Sequence, residues 1–253
     1  MIIVKTDNEI KIMREANRIV AIILTDIQDK IKPGVSTYAL DEWAENTIRK
    51  NNAVPGFKGY RYGNSVFPAT LCTSINDQVV HGIPSKDVLL KEGDIIGIDV
   101  GTIFKGYYGD GAYTFAVGKV EDEVRDLMNA CENSLYKGIE AAVNGNRVSD
   151  ISNAIDKFVR SKGYEIVRDL TGHGIGRNLH EDPQILNYNS GIKGKKLKTN
   201  MTLAIEPMIT NGDFRVKTCK DNWTIVTADG SLSTHYEHTI AVTENGPEIL
   251  TKV

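Results

Sequence analysis

The chain has 253 residues, of which 41% are hydrophobic and 25% are charged, a balance typical of a folded globular protein. Its formal net charge is −3 at pH 7 with scattered Lys and Arg residues, which argues against a nucleic acid or an anionic membrane as the partner. The three cysteines, Cys72, Cys131 and Cys219, lie far apart and form no C-x-x-C pair. This usage is typical of a reduced, cytoplasmic protein rather than of a disulfide framework or a zinc ribbon.

No targeting or membrane-spanning segment is predicted. The first ten residues contain Asp7 and lack an apolar core long enough for a signal peptide. The longest strongly apolar run, residues 19–24, is far shorter than the ~20 residues that a membrane helix needs. Because no long exposed apolar stripe is apparent either, we expect a monomer that works in the cytoplasm without a membrane partner.

Two scaffold helices are predicted at the start of the chain. Thr6 and Glu9 form a T-x-x-E capping box, and apolar residues then recur at helical spacing until the sequence K-P-G at residues 32–34 stops the helix. A second helix is predicted from a cap at Ser36 or Thr37 to Lys50. Neither helix carries a pattern that indicates chemistry.

Residues 52–64 are rich in glycine and aromatic side chains and predict an ordered surface loop. Short apolar runs follow over residues 67–83 and end in V-V-H-G-I-P. His81 in this motif stands at the end of an apolar strand. Taken alone, His81 could equally be a surface residue at the end of a strand or a catalytic residue.

An acid stands inside the apolar segment I-I-G-I-D-V-G of residues 95–101, which predicts a buried strand. This acid, Asp99, is costly to bury unless it is paired, hydrogen-bonded or bound to a metal. A two-residue turn at residues 105–106 would pair Asp99 with residue 112 and place Asp110 diagonally on the same face. By itself, Asp110 between two glycines would be interpreted as a turn residue.

Two amphipathic helices are predicted in the second half, over residues 120–143 and 149–161, the second ended by Gly163. A strand predicted over residues 201–210 again contains an acid within an apolar segment, because Glu206 stands within M-T-L-A-I-E-P-M-I-T. Further strands are predicted over residues 223–226 and 238–242.

A weak internal repeat links the two halves of the chain. K-E-G-D-I-I-G-I-D-V resembles K-T-N-M-T-L-A-I-E-P, and G-D-G-A-Y-T-F-A-V-G resembles Y-E-H-T-I-A-V-T-E-N-G. The second match makes the segment around Glu237 another strand that carries an acid. The order helix, helix, acid-bearing strand, acid-bearing strand thus occurs twice. It predicts a single α+β domain of two similar halves, roughly residues 1–125 and 126–253, which share a sheet.

The stretch T-G-H-G-I-G-R-N-L-H-E-D-P of residues 171–183 places His173 and His180 seven residues apart among closely spaced glycines. A glycine-dense backbone beside a histidine indicates a sharp turn or a close approach. The acids on the predicted strands and the histidine of the glycine-rich stretch together give a candidate metal site: Asp99, Asp110, His173, Glu206 and Glu237. Four carboxylates with one imidazole suit two divalent metals, because carboxylates bridge metals and neutralise their charge.

Other catalytic motifs are absent from the sequence. The zincin motif fails because Gln184 stands four residues after His180. The C-x-x-C deaminase pattern and the serine nucleophile elbow do not occur. G-H-G-I-G lacks the spacing and the preceding βαβ unit of a dinucleotide-binding loop.

Five motifs carry a resemblance to a known family: H-G-I-P, I-D-V with an Asp eleven residues further on, T-G-H-G-I-G-x-x-x-H-E-x-P, A-I-E-P and E-H-T-I. In this order and spacing they resemble the methionine aminopeptidases of the short bacterial type 1 form, from about residue 5 to the end of the chain. The resemblance implies an α+β, pseudo-two-fold pita-bread fold, a curved antiparallel sheet with helices on its outer side.

The resemblance also implies removal of the N-terminal methionine from nascent proteins and peptides, by a hydroxide that bridges two divalent metals. Asp99 would chelate one metal, Asp110 and Glu237 would bridge both, and His173 and Glu206 would complete the second. The donor set suits Co, Mn, Fe or Zn and does not distinguish among them.

Catalytic and substrate-binding roles outside the metal shell are implied in the same way. His81 and His180 would contact the scissile amide and the developing oxyanion, and Glu206 would accept or relay the proton of the water. The methionine side chain would be bound by Phe67, Cys72, Leu179 and Trp223. For Cys72 and Trp223, ordinary core packing is an equally good interpretation.

Two other functions stay open. Proline-specific aminopeptidases and dipeptidases share the fold but normally carry an extra N-terminal domain, so the length of this chain favours the methionine enzymes. A metal-free pita-bread protein that acts as a binding module is disfavoured, because all five ligand positions are filled. The expected partners are the N-termini of nascent polypeptides, and a transient contact with the ribosome is left open.

Overall fold

Helices pack against one side of a curved antiparallel sheet in the computed structural model, which describes residues 2–252. The helices are α1 (Asp7–Ile27), α2 (Thr37–Lys50), α3 (Asp122–Ala141) and α4 (Val148–Ser161), and a 3-10 turn (Gln28–Lys30) follows α1. The strands are β1 (Val54–Pro55), β2 (Arg61–Tyr62), β3 (Ser65–Val66), β4 (Leu71–Ile75), β5 (Gln78–Val80), β6 (Ile95–Phe104), β7 (Tyr107–Ala116), β8 (Glu165–Ile166), β9 (Gly172–Gly174), β10 (Glu181–Ile185), β11 (Thr202–Ile205), β12 (Met208–Thr210), β13 (Val216–Thr218), β14 (Ile225–Thr227), β15 (Ser233–His235), β16 (Glu237–Thr243) and β17 (Gly246–Ile249).

Helix α1 begins at the predicted capping box. The Thr6 hydroxyl accepts the Glu9 backbone N–H at 3.3 Å, and the Glu9 carboxylate accepts the Thr6 N–H at 2.8 Å. These two bonds satisfy donors that the first turn of a helix otherwise leaves unpaired. The predicted stop is also confirmed, since the chain leaves the 3-10 turn and reaches Gly34, whose φ is +87°.

The other three helices also lie where the sequence predicts them. Ser36 caps α2, with its hydroxyl accepting the Ala39 N–H at 3.2 Å. Helices α3 and α4 match the predicted ranges to within two residues at each end. Gly163, with φ of +80°, follows the end of α4.

The principal sheet has the strand order β1-β6-β7-β16-β11-β9-β10, with β4 paired to β6 and β17 paired to β16. Strands β6 and β7 are each ten residues long and are joined by a two-residue turn in which Lys105 and Gly106 have φ of +48° and +78°. The predicted register is confirmed, because Asp99 pairs with Ala112.

Strand β16 joins the two halves of the chain. It pairs with β7 through Glu237–Ala112 and His238–Gly111, and with β11 through four residue pairs from Thr202–Ala241 to Ile205–His238. Each half contributes helices over its own part of the sheet. One apolar cluster joins α1 and α2 to β6, and another joins α3 and α4 to β11 and β16. A fully buried Leu or Ile in such a cluster contributes about 1.5–3 kcal/mol to stability.

The predicted single strand over residues 201–210 is wrong. The chain forms β11, breaks at Glu206 and Pro207, and then forms β12 in a separate three-stranded sheet with β15 and β8. Proline has no N–H for a sheet ladder and restricts the residue before it, so the strand ends there. Glu206 therefore lies at a strand end and not inside a strand.

Smaller differences concern short strands. The predicted loop over residues 52–64 contains β1 and β2, and β17 was not predicted. Strand β16 begins at Glu237, one residue before the predicted start. Among the helices of residues 2–252, none combines the length and the apolar character that crossing a membrane requires.

Candidate active site

Three acids meet on one face of the sheet because of its register. Asp99, Ala112 and Glu237 lie side by side across β6, β7 and β16. Residues directly opposite each other in an antiparallel sheet project from the same face. Asp110 precedes Ala112 by two residues, so its side chain projects from that face as well.

His173 and Glu206 reach the same acids from the other half. His173 on β9 pairs with Ala204 on β11, and Glu206 follows Ala204 by two residues. The His173 Nε2 atom lies 3.4 Å from Glu206 Oε1 and 3.9 Å from Asp110 Oδ2. Ligand atoms of Asp110, His173 and Glu237 all lie within 4.8 Å of one another.

One hydrogen bond fixes the orientation of His173. Its Nδ1 donates to the backbone carbonyl of Gly174 at 2.9 Å, and a carbonyl can only accept. The neutral ring therefore presents the lone pair of Nε2 to the acids. A Cβ atom on Gly174 would lie 2.2 Å from the Asp182 carbonyl oxygen, so the close approach that the glycine-rich stretch indicated is present here.

Burial governs the charges of this cluster. It raises the pKa of Asp99 to about 7, and it raises the pKa values of Asp110 and Glu237 well above their ordinary range, with neighbouring carboxylates adding to the effect. Glu206 is shifted in the same direction for the same reasons. Burial lowers the pKa of His173 to about 3, so the imidazole is neutral at neutral pH.

The donor atoms fit divalent metals. Asp99 Oδ1, Asp110 Oδ1 and Glu237 Oε1 are buried and have no hydrogen-bond partner within residues 2–252. Unpaired buried carboxylate oxygens are costly, and a bound cation compensates that cost. An oxygen-rich set with one imidazole is suited to Mn, Fe, Co or Zn.

The acids line a cavity of about 710 Å³ that also contains His81 and His180. The Nδ1 atom of His180 lies 2.7 Å from the Tyr60 hydroxyl, and its ring packs edge-on to His173 with centroids 4.5 Å apart. His81 has a left-handed backbone with φ of +61°, which is uncommon outside glycine and sets the direction of its side chain. Burial lowers the pKa of His81 to about 4.

The four residues assigned to a methionine pocket line the same cavity: Phe67, Cys72, Leu179 and Trp223. Phe67 packs edge-on to Trp223, with ring centroids 5.2 Å apart. Cys72 on β4 pairs with Asp99, which places its side chain on the face of the acids. Because burial raises the pKa of the Cys72 thiol well above its ordinary value, the thiol stays neutral and forms an apolar wall.

The sequence analysis gave no role to Tyr60 or to His235, although each contacts a residue of the site. Tyr60 is one of several aromatic residues in its loop, and no pattern singles it out. His235 Nε2 lies 3.7 Å from Glu206 Oε2. His238 faces the other side of the sheet, where its Nδ1 lies 2.7 Å from the Thr251 hydroxyl.

The family model of metallopeptidase family M24 matches residues 11–244. The chain belongs to metallopeptidase family M24. It is therefore a metal-dependent hydrolase, and the matched range contains all five candidate ligands.

Relatives in this family share most of their length with the chain. The methionine aminopeptidase of Clostridium acetobutylicum is 52% identical over 251 residues, which cover 99% of each chain. Methionine aminopeptidase 1 of Bacillus subtilis is 50% identical over 253 residues, which cover 100% of each. The crystal structure of the Thermotoga maritima methionine aminopeptidase superposes with a TM-score of 0.96, at 43% identity and with 100% of each chain covered. The expected α+β pita-bread fold is confirmed.

Proposed function

We propose that this chain is a methionine aminopeptidase, which removes the N-terminal methionine from nascent polypeptides and peptides with two divalent metals. One observation carries the proposal. The acids and His173 share a single cavity with four apolar or sulfur-containing side chains. The residues that would hold the metals therefore lie next to a pocket that suits a methionine side chain. The names of the relatives at 50% and 52% identity agree with this activity.

The strand order supports a division of the ligands. From β6 to β9 the donors follow as Asp99, then Asp110 and Glu237, then Glu206 and His173. Asp110 and Glu237 stand in the middle, so they would be shared by both metals, with Asp99 on one side and the other two donors opposite. Divalent metals held there lower the pKa of a water and polarise a carbonyl group.

His180 would stabilise the oxygen that gains negative charge as the peptide bond is attacked. We assign the Tyr60 hydroxyl as the donor to Nδ1, which places the proton of the neutral ring on Nε2. Burial lowers the pKa of His180, which keeps the ring neutral and leaves that N–H as the donor. Under this assignment, Tyr60 would select the His180 tautomer that can donate into the cavity.

His81 would contact the scissile amide from the wall next to Trp223. Its ring is edge-on to the indole, with centroids 6.3 Å apart. The carboxyl group of Glu206 lies between His173 and His235, at 3.4 and 3.7 Å from their Nε2 atoms. A carboxyl group in this place can hold the proton released as the attacking water is activated.

The position of the cluster supports cleavage at a chain end only. The acids project from one face of the sheet into the cavity, and we propose that the substrate chain ends against them. A substrate would insert its first residue and leave the rest of its chain towards the rim. Phe67, Cys72 and Leu179 are 2%, 4% and 5% exposed and would enclose the first side chain.

Peptide hydrolysis tests this function against its alternatives. Metal-stripped protein is given Co(II) or Mn(II) and then Met-Gly-Met-Met, Gly-Pro-Leu or an Ala-Pro peptide. Metal-dependent release of methionine from the first peptide alone is the expected result. Cleavage of the proline peptides would show that the enzyme acts on Xaa-Pro bonds and not on N-terminal methionine. If no peptide is cleaved with any metal, the result would support a binding module instead.

We also propose the cytoplasm as the place of action. Cys72, Cys131 and Cys219 are all free thiols, and two of them are buried. Such usage agrees with a reducing compartment. Fractionation of cells that produce the protein, with detection of the native chain, tests this location.

A further inference from the structure

We infer that the segment from Lys5 to Glu9 is a clamp that positions the His180 loop, defined here as residues 175–180 between β9 and β10. The central part of the clamp is a buried ion pair between Lys5 and Glu181. The inference rests on the proposed function only for the role of His180 towards substrate.

The ion pair links two distant parts of the chain. Lys5 Nζ lies 2.7 Å from Glu181 Oε2, and each side chain is only 3% exposed. The other carboxylate oxygen of Glu181 accepts the backbone N–H of Asn178 at 3.2 Å. Glu181 therefore connects Lys5 directly to the backbone of the His180 loop.

The loop backbone rests on the ion pair. A Cβ atom on Gly176 would lie 2.6 Å from Lys5 Cε and 2.7 Å from Glu181 Oε1, so the loop backbone packs directly against both side chains of the ion pair. The Gly176 carbonyl also accepts the Tyr108 N–H at 2.8 Å, which fastens the loop to β7. The loop is thus held between the ion pair and the sheet.

A second contact reaches the loop from the first turn of α1. Arg177 lies over the Tyr107 ring at 4.5 Å from its centroid, and its guanidinium is 3.6 Å from Glu9 Oε1. Tyr107 donates to the same Glu9 oxygen at 2.5 Å. Arg177 is exposed, so this contact is the weaker one, and the buried ion pair carries the clamp.

The clamp fixes the part of the loop that faces the cavity. Leu179 and His180 line the cavity, and Glu181 is the next residue along the chain. A buried ion pair adds little stability over apolar side chains of similar size. Its hydrogen bonds are directional, however, so they fix the position of the groups that they join. A displacement of ~1 Å at a reacting site can cost about 100-fold in rate. Lys5 and Glu181 are therefore positioning residues.

The test compares two double variants. K5M/E181L removes both buried charges together and leaves neither one unpaired, which avoids the strong destabilisation that a single substitution causes. R14M/E248L is the matched control, because Arg14 on α1 and Glu248 on β17 also form a 2.7 Å ion pair between distant parts of the chain but are 44% and 37% exposed. Metal content, kcat and KM for Met-Gly-Met-Met, and thermal midpoint are measured for each.

A spectroscopic readout follows His180 itself. Long-range 1H–15N spectra of the Zn(II)-loaded protein, labelled at histidine, report the ring nitrogens. For K5M/E181L we expect kcat to fall about tenfold or more with KM within about threefold and unchanged metal content. The His180 signals should shift or broaden, while those of His238 on the outer face stay unchanged.

Two results would overturn the clamp. One is a folded K5M/E181L protein with the kcat and the His180 signals of the wild type. The other is a joint loss of metal content and thermal midpoint, which would make the ion pair a general scaffold. If the wild type releases no methionine, the proposed function fails, and the His180 signals alone then decide on the clamp.

Discussion

The rings of His173 and His180 meet edge to face, with centroids 4.5 Å apart and planes at 76°, yet they are held by different partners. His173 is fixed by the Gly174 carbonyl and turns Nε2 to Glu206 at 3.4 Å. His180 uses Nδ1 for the Tyr60 hydroxyl at 2.7 Å. We therefore expect His173 to act as a metal ligand and His180 as a hydrogen-bond donor, two roles that separate substitutions can distinguish.

Replacing Asp110 or Glu237 by Ala should abolish turnover and reduce bound metal. Each change removes a proposed central ligand, and even partners outside the ligand shell are worth about 10–100-fold in metal affinity or activity. We expect losses beyond ~100-fold, measured as methionine release and as metal content after dialysis. Glu248→Ala, which changes a partly exposed acid on β17, is the control, and near-normal activity of either site variant would refute the ligand assignment.

Replacing Tyr60 by Phe should lower kcat without loss of metal. The change removes only the hydroxyl that bonds His180, and a single hydrogen bond is worth about 0.5–1.5 kcal/mol, or roughly 2- to 12-fold. His180→Ala removes the donor itself and should cost about 100-fold or more. Tyr62→Phe is the matched control, since Tyr62 is 75% exposed at the cavity rim. Equal activity of the wild type and Tyr60→Phe would exclude a role of this bond.

The part of the site that follows from local rules could be predicted from the sequence. Asp99 and Asp110 share a face because a two-residue turn fixes the register of a hairpin and side chains alternate with period two. The capping box at Thr6 and the glycine after α4 likewise depend on a few neighbouring residues. Such rules act within one hairpin or one helix, so the printed sequence contains them.

Contacts between distant segments could not be predicted in this way. Lys5 meets Glu181 across 176 positions and Tyr60 meets His180 across 120, and no spacing rule connects such pairs. Glu206 was placed inside a strand because the apolar run continues past it, whereas Pro207 ends the ladder and sends the chain into another sheet. The resemblance to a family supplied the ligand roles that local patterns left open.

Metal-stripped protein should lose stability relative to metal-loaded protein as the pH rises from about 4 to about 7. Asp99 has a folded-state pKa of about 7, above its ordinary value of 3.8, so its stabilisation is complete below pH 3.8 and is lost as the pH rises through 7. Asp110, Glu206 and Glu237 are shifted in the same direction. The folded His173, with a pKa of about 3, is neutral at these pH values with or without metal, so it adds the same slope to both forms of the protein.

Urea unfolding at several pH values in this window measures the effect. Metal-loaded protein should lack the decline, because the cations replace the protons on the carboxyl groups. Asp99→Asn should reduce the decline in the stripped protein. The same pH slope in stripped and loaded protein would contradict the explanation.

Replacing Trp223 by Ala should weaken substrate binding more than it slows the chemistry. The indole packs against Phe67 and His81 at the cavity wall, where it would contact the methionine side chain. Removing such an apolar contact costs about 1.5 kcal/mol or more, so KM should rise about tenfold while kcat changes little. Trp43→Ala on α2 is the matched control, because Trp43 is also partly buried but packs in the α1–α2 cluster. If Trp223 only fills the core, its variant will lose thermal stability with KM unchanged, and the methionine pocket would then have to be formed without it.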